Sequence, residues 1–131
     1  MLSKLAILAA CLVFVWPGSC LAQNTSSGCP AKYSDEQVNV IKHSAYIGVA
    51  GDYCPNIQRN VKPLLGFMAA AWGVFPSTEF KCDIWKKTYG EAEGQASLQI
   101  TSQGLKVFCE TSIRLYGPGG SLVQGALTFH E

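Results

Sequence analysis

Four of the six cysteines in this 131-residue chain are almost evenly spaced, and they constrain the fold more than any other feature. Successive members are 25, 28 and 27 positions apart, and they are Cys29, Cys54, Cys82 and Cys109. The other two, Cys11 and Cys20, lie in the apolar beginning of the chain, which is predicted below to be a cleaved signal peptide. A structural zinc site needs closely paired ligands such as C-x₂-C, and the sequence has no such pair. An even number of cysteines in a short exported chain predicts disulfides instead. The pattern therefore favours a small fold held by two disulfides.

The beginning of the chain has the order of a secretory signal peptide. A basic first segment precedes an uncharged apolar run at 5–15, and small residues follow as far as Ala22. The run is shorter than the roughly 20 apolar residues that a membrane span needs. We expect cleavage after Ala22, so that 1–22 is a signal peptide, 23–131 is one small helical domain, and no stable membrane anchor remains.

Helical periodicity predicts an all-α fold, a small up-down bundle of about four short helices with an irregular C-terminal tail. Ser34 has the features of an N-cap, with Gln37 at the capping-box position. The predicted helices cover 35–49, 61–74, a third that Ser77 caps and that ends near 90 or near 98, and 102–116.

Glycine, proline and asparagine mark the predicted helix ends. Gly51 fits the end of the first helix, and Gly117 fits a left-handed cap after the last. If Asn60 is the N-cap of the second helix, Pro63 falls in its first turn, where the missing N–H does little harm. The tail after Gly120 alternates weakly, which leaves a short strand and an irregular strap as the two alternatives.

The disulfide pairing follows from the predicted helix order. Cys29 precedes the first helix and Cys82 opens the third, so both lie at one end of an up-down bundle. Cys54 lies at the opposite end, where the helix that carries Cys109 begins. The predicted bridges are Cys29–Cys82 and Cys54–Cys109.

Charge and motif content exclude several function classes. After signal cleavage the chain has nine basic and nine acidic residues, without the basic stripe of a nucleic-acid-binding protein. Asp52, Asp83 and Glu110 do not have the spacing of a metal loop, and His130 is a lone terminal histidine. The sequence predicts no metal site, no cofactor and no nucleic-acid partner.

The residues that suggest catalysis also have ordinary structural explanations. Cys54 and His43 resemble a thiol and its base by residue type, yet we expect Cys54 to be oxidised and His43 to be a surface or half-buried helix residue. Glu91 and Glu93 are two positions apart, so they do not share a helix face. We therefore predict no catalytic residue.

An aromatic-rich segment in the middle of the chain has two interpretations. A domain of this size needs aromatic side chains in its core, which favours a structural role. Alternatively, four of them line a pocket for an apolar ligand between helices, and they are Trp72, Trp85, Phe67 and Phe80.

The chain resembles a group of small exported bacterial proteins with four cysteines. The resemblance is carried by "CPNIQRN" at 54–60, the cysteine at 109 and "LYGPGG" at 115–120. These motifs place cysteines and helix ends, and the members of that group have no assigned activity. The resemblance implies a periplasmic location and no catalytic residue.

Three functions remain open. The leading prediction is a non-enzymatic periplasmic or secreted helical protein that acts through contacts with a protein partner, as an envelope accessory, chaperone or inhibitor. The alternatives are a module that binds a small apolar ligand and a hydrolase with an unrecognised site. An apolar pocket lined by Trp72 or Trp85 favours ligand binding, and convergent polar residues in a cleft favour the hydrolase.

The signal-peptide prediction fixes the mass of the exported protein. We expect the intact mass of secreted material to correspond to a chain that begins at Gln23, with four oxidised cysteines. A mass that retains residues 1–22, or that includes lipid on Cys20, would contradict the prediction.

Overall fold

The computed structural model describes residues 28–73 and 78–130. The chain divides into two compact units, 1–32 and 33–131, and the helices and strands named below all belong to the second unit. The predicted signal peptide and the predicted cap at Ser77 lie outside the described residues.

The described part of the second unit is a small all-α, disulfide-stapled fold, as the sequence predicts. Its two very short strands pair antiparallel, with Ile57 opposite Phe129. In chain order the elements are α1 (Asp35–Tyr53), β1 (Ile57–Arg59), α2 (Val61–Trp72), a 3₁₀ turn (Glu79–Lys81), α3 (Asp83–Gln103), α4 (Leu105–Tyr116) and β2 (Leu127–Phe129).

Helix α1 begins at the predicted capping box. The backbone N–H of Gln37 donates to Ser34 Oγ at 3.1 Å, and the backbone N–H of Ser34 donates to Gln37 Oε1 at 3.0 Å. The helix passes Gly51 and ends at Tyr53, so the prediction of an end at 49 was wrong. Gly51 is needed for another reason: a Cβ there would lie 2.5 Å from Arg59 Cγ.

Helix α3 is longer than the sequence predicts. Gly90 and Gly94 do not break it, and the helix continues to Gln103. It ends where Gly104 adopts φ of 94°, a left-handed conformation that favours glycine. Helix α4 therefore begins at Leu105, three residues after the predicted start.

Two further boundaries differ from the predicted ones. Helix α3 begins at Asp83, directly after Cys82, which is later in the chain than predicted. Gly117 ends α4 with φ of −75°, which is not left-handed. Glycine is nonetheless required at 117, because a Cβ there would lie 2.5 Å from the Ile113 carbonyl oxygen.

The C-terminal tail contains a short strand, and the strand's partner lies in the loop after α1. Strand β2 pairs with β1, and the backbone N–H of Asn60 donates to the Ala126 carbonyl at 2.8 Å. The tail thereby covers one end of the core, where Leu127 is fully buried.

Helix α1 is the centre of the hydrophobic core. It packs against α2, α3, α4 and β1, and its residues 44–50 are all buried. A helix that faces water on one side shows an apolar stripe, whereas a helix surrounded by partners is buried on several faces. The largest fully buried side chains of the core are Tyr116, Ile41, Ile47 and Leu127.

A disulfide joins the end of α1 to α4. Cys54 follows the last residue of α1, and its Cα lies 5.7 Å from the Cα of Cys109, which confirms this predicted pair. Cys29 and Cys82 are also disulfide-bonded. Their pairing with each other stays a prediction.

The Cys54–Cys109 bridge predicts a specific pattern of mutant stability. It closes a loop of 55 residues, for which chain entropy gives about 4 kcal/mol as an upper guide. Cys54→Ser and Cys109→Ser should each lower the free energy of unfolding by a similar amount. The double variant should lose little more, because either change breaks the same bond. Urea unfolding measures all three, and additive losses would contradict the prediction.

Candidate functional site

An apolar groove of about 320 Å³ lies between α1, α2 and α3. We call it the α2 groove, because α2 supplies half of its lining. Ser44 comes from α1, Phe80 from the 3₁₀ turn, and Trp85 and Tyr89 from α3. The lining residues are Ser44, Val61, Leu64, Leu65, Met68, Phe80, Trp85 and Tyr89.

Helix α2 is apolar on nearly all sides, yet it is only partly covered. Lys62 is its single charged residue, and Met68 is its single buried one. A helix that is apolar all round is normally buried. The outer part of α2 therefore leaves apolar surface in contact with water.

The rim and the floor of the α2 groove differ in exposure. At the rim, Val61 is 57% exposed, Leu65 47% and Phe80 43%. At the floor, Met68 and Trp85 are only 3% and 5% exposed. The groove thus has a buried apolar base under an exposed apolar rim.

Two of the four predicted pocket aromatics line the α2 groove, and a third, Trp72, has its ring 6.0 Å from that of Trp85. Phe80 and Trp85 line the groove and contact each other edge to face, with ring centroids 4.9 Å apart. Trp72 packs edge to face against Tyr33 at 5.8 Å, whereas the ring of Phe67 lies 6.4 Å from that of His43. That the first two bind a ligand stays a prediction.

The polar groups of the α2 groove change its apolar character little. Ser44 Oγ donates to the Val40 carbonyl at 2.8 Å, so its hydroxyl is used within α1. Tyr89 reaches α1 beside Gly48, where a Cβ would lie 2.7 Å from its hydroxyl oxygen. Burial, together with the charge of Glu93, raises the pKa of Tyr89, which keeps the hydroxyl protonated.

A second, more polar cleft of about 210 Å³ lies between α1, α3 and α4. We call it the His43 cleft. Its lining residues are Lys42, His43, Tyr46, Gln99, Phe108, Thr111, Ser112, Leu115 and Tyr116. No motif in the sequence indicates this cleft, because His43 and Tyr116 are 73 positions apart and only the fold brings them together.

His43 is half-buried among aromatic rings. Its Nδ1 lies 2.6 Å from the hydroxyl oxygen of Tyr116, and its ring also contacts those of Tyr46 and Phe67. Burial and the nearby Lys42 ammonium lower the pKa of His43 from its usual 6.5. Burial raises the pKa of Tyr116. The pair is therefore neutral at pH 7.

Two candidate nucleophiles are engaged in structural interactions. Cys54 is in a disulfide, and Ser112 Oγ donates to the Phe108 carbonyl of its own helix at 2.8 Å. Glu91 pairs with Lys87 at 3.7 Å across one helical turn. Within 28–73 and 78–130, no cluster of three metal-binding side chains occurs.

Of the helices in these two ranges, none combines the length and the hydropathy that crossing a membrane requires. In comparisons with protein families, curated proteins and solved structures, the chain matches none. The α2 groove and the His43 cleft are the described cavities whose chemistry suggests a ligand most directly.

The low pKa of His43 predicts a pH dependence of stability. In the unfolded chain His43 binds its proton near pH 6.5, and in the folded chain only at lower pH. The contribution of neutral His43 to the free energy of unfolding is therefore fully present above pH 6.5. It is lost as the pH falls below that value, because the unfolded chain then binds a proton more readily than the folded chain. Urea unfolding from pH 5 to 8 should show the advantage of wild type over His43→Gln shrinking on acidification. A difference independent of pH would contradict this.

Proposed function

We propose that this is a non-enzymatic exported helical protein that acts by binding a protein partner in the α2 groove. The single observation that supports it most is the exposed apolar rim of Val61, Leu65 and Phe80 over a buried apolar floor. Contiguous exposed apolar surface marks interaction sites in soluble proteins. These side chains are already about half-buried, so covering the exposed part of one contributes about 1 kcal/mol, roughly half the value for complete burial.

The chemistry of the groove defines the partner's contact surface. Its lining residues carry no formal charge at pH 7, and Lys62 is the only charge on α2. A charged partner side chain would lose its hydration there without gaining an opposite charge. The expected occupant is therefore the apolar face of an amphipathic helix, a recognised mode of groove binding. Envelope accessory, chaperone and inhibitor are the roles that this activity suits.

The covalent framework supports the proposed location. Disulfides form and persist in oxidising compartments outside the cytosol. A periplasmic or secreted protein, most simply a bacterial one, agrees with the signal-like beginning of the sequence. These finer assignments are part of the proposal.

A small apolar ligand is the second candidate, and the floor of the groove favours it. Met68 and Trp85 are buried there, and the volume of about 320 Å³ is at the lower end of ordinary ligand pockets. Such a ligand would contact Trp85 and change its fluorescence. A partner helix would depend more on the exposed rim.

The test compares two variants of similar exposure. Leu65→Gln changes the rim of the groove, and Val107→Gln changes a 44%-exposed residue of α4 as its control. Wild type and both variants are immobilised and exposed to periplasmic extract, and retained proteins are quantified by mass spectrometry. We expect a partner that Val107→Gln retains and that Leu65→Gln binds about tenfold more weakly, a change of about 1.4 kcal/mol.

The competing outcomes are separable. Equal retention by both variants would contradict the proposed binding surface. The small-ligand candidate would be favoured if 1-naphthol binds saturably, as measured by tryptophan fluorescence, and if extract proteins do not compete with it. Direct binding is then measured by titrating the protein with a synthetic peptide that corresponds to the amphipathic helix of the retained partner.

A further inference from the structure

The His43 cleft holds several hydrogen-bond donors and a cation. Lys42 Nζ lies 5.8 Å from the centroid of the Tyr46 ring, which places the ammonium at the cleft. Of the described residues that line the cleft, none is an aspartate or a glutamate. A cavity with this composition is complementary to an anion.

The buried hydroxyl of Tyr116 determines which nitrogen of His43 carries the proton. Tyr116 is only 1% exposed, and a buried hydroxyl left without an acceptor is costly. Its contact with His43 Nδ1 supplies that acceptor. Neutral His43 then carries its proton on Nε2, because Nδ1 accepts. The second nitrogen is thus a donor even before the ring becomes charged.

A second buried hydroxyl adds another donor. Gln99 Nε2 donates to the Tyr46 hydroxyl oxygen at 3.0 Å, so this oxygen already acts as an acceptor. Tyr46 is only 8% exposed, and burial raises its pKa, which keeps the proton on the oxygen. Its O–H thus remains available to donate to a group in the cleft.

The neighbouring carboxylates do not line the His43 cleft, and Glu91 lines an adjoining open cavity that it shares with Lys42. Glu110 on α4 forms an ion pair with Lys106, and Glu91 on α3 pairs with Lys87. The groups that face His43 are Lys42 and Tyr46 from α1, Tyr116 from α4 and the uncharged Phe67 from α2. Lys42 is therefore the one formal charge at His43 among the described residues at pH 7.

We propose that the His43 cleft binds a small carboxylate that has an apolar body. The carboxylate lies among the Lys42 ammonium, His43 Nε2–H and the Tyr46 hydroxyl. The apolar body lies against Phe108 and Leu115, which line the same cleft. This site is separate from the α2 groove and does not depend on the function proposed for that groove.

Binding of the anion is coupled to protonation of His43. A carboxylate beside the ring stabilises the imidazolium and raises the pKa of His43. By linkage, the anion then binds more tightly as the pH falls and His43 takes up a proton from solvent. On acidification the affinity for the anion should therefore rise, whereas the contribution of His43 to the folding stability of the ligand-free protein should fall. The two effects are distinguishable because they have opposite signs.

Butyrate is the probe, and the sequence provides an internal control. The chain has two histidines, His43 and His130, so proton NMR resolves two ring Cε1–H signals. Titration with butyrate at pH 6 should shift the His43 signal saturably and leave that of His130 in place. Affinity should be about fivefold higher at pH 5.5 than at pH 8, from the coupling to protonation. Butylammonium and 1-butanol should give no saturable shift.

Three variants test the assignment of residues. Lys42→Met removes the cation, and Tyr46→Phe removes one hydroxyl while the ring stays. Each should weaken butyrate binding about tenfold, as expected for the loss of a charge-assisted hydrogen bond. Lys62→Met removes an exposed lysine of α2 that does not line the cleft, and it should leave binding unchanged. Equal shifts with butylammonium, equal weakening by Lys62→Met, or no saturable response to butyrate would overturn the proposal.

Discussion

The burial of α1 on several faces is the constraint on which the rest of the structure depends. Because α2, α3, α4 and β1 all pack against it, neighbouring residues of α1 face different partners. Ser44 faces the α2 groove, whereas His43 and Tyr46 face the polar cleft. One central helix thus supplies a wall to two chemically different sites.

Local sequence signals predicted the helices well and their ends less well. Ser34 and Gln37 form the capping box that their residue types and spacing indicate. Gly51 was misread because glycine was interpreted as a helix end, and the same interpretation made an end near Gly90 one of the two alternatives for the third helix. Gly51 is inside α1 because Arg59 packs over it, a contact that only the fold creates. The cysteine pattern succeeded for Cys54–Cys109 because the predicted helix order placed both residues at the same end.

The two sites could be predicted only in part. Phe80 and Trp85 were expected near a pocket because aromatic residues cluster in that segment, and both line the α2 groove. The exposed rim was not foreseen, since apolar periodicity in α2 normally indicates a buried face. The His43–Tyr116 contact joins residues 73 positions apart. Periodicity within single helices carries no information about such a pair.

The junction between α3 and α4 has a mechanical consequence. A single residue, Gly104, separates the two helices, so the connection is too short to absorb a change in length. One inserted residue would rotate the following helix by about 100° relative to its present phase. Cys109 would then turn away from Cys54, and Tyr116 would turn away from His43. The length of this corner therefore sets the register of both the covalent staple and the polar cleft, and lineages of this fold should tolerate insertions elsewhere first.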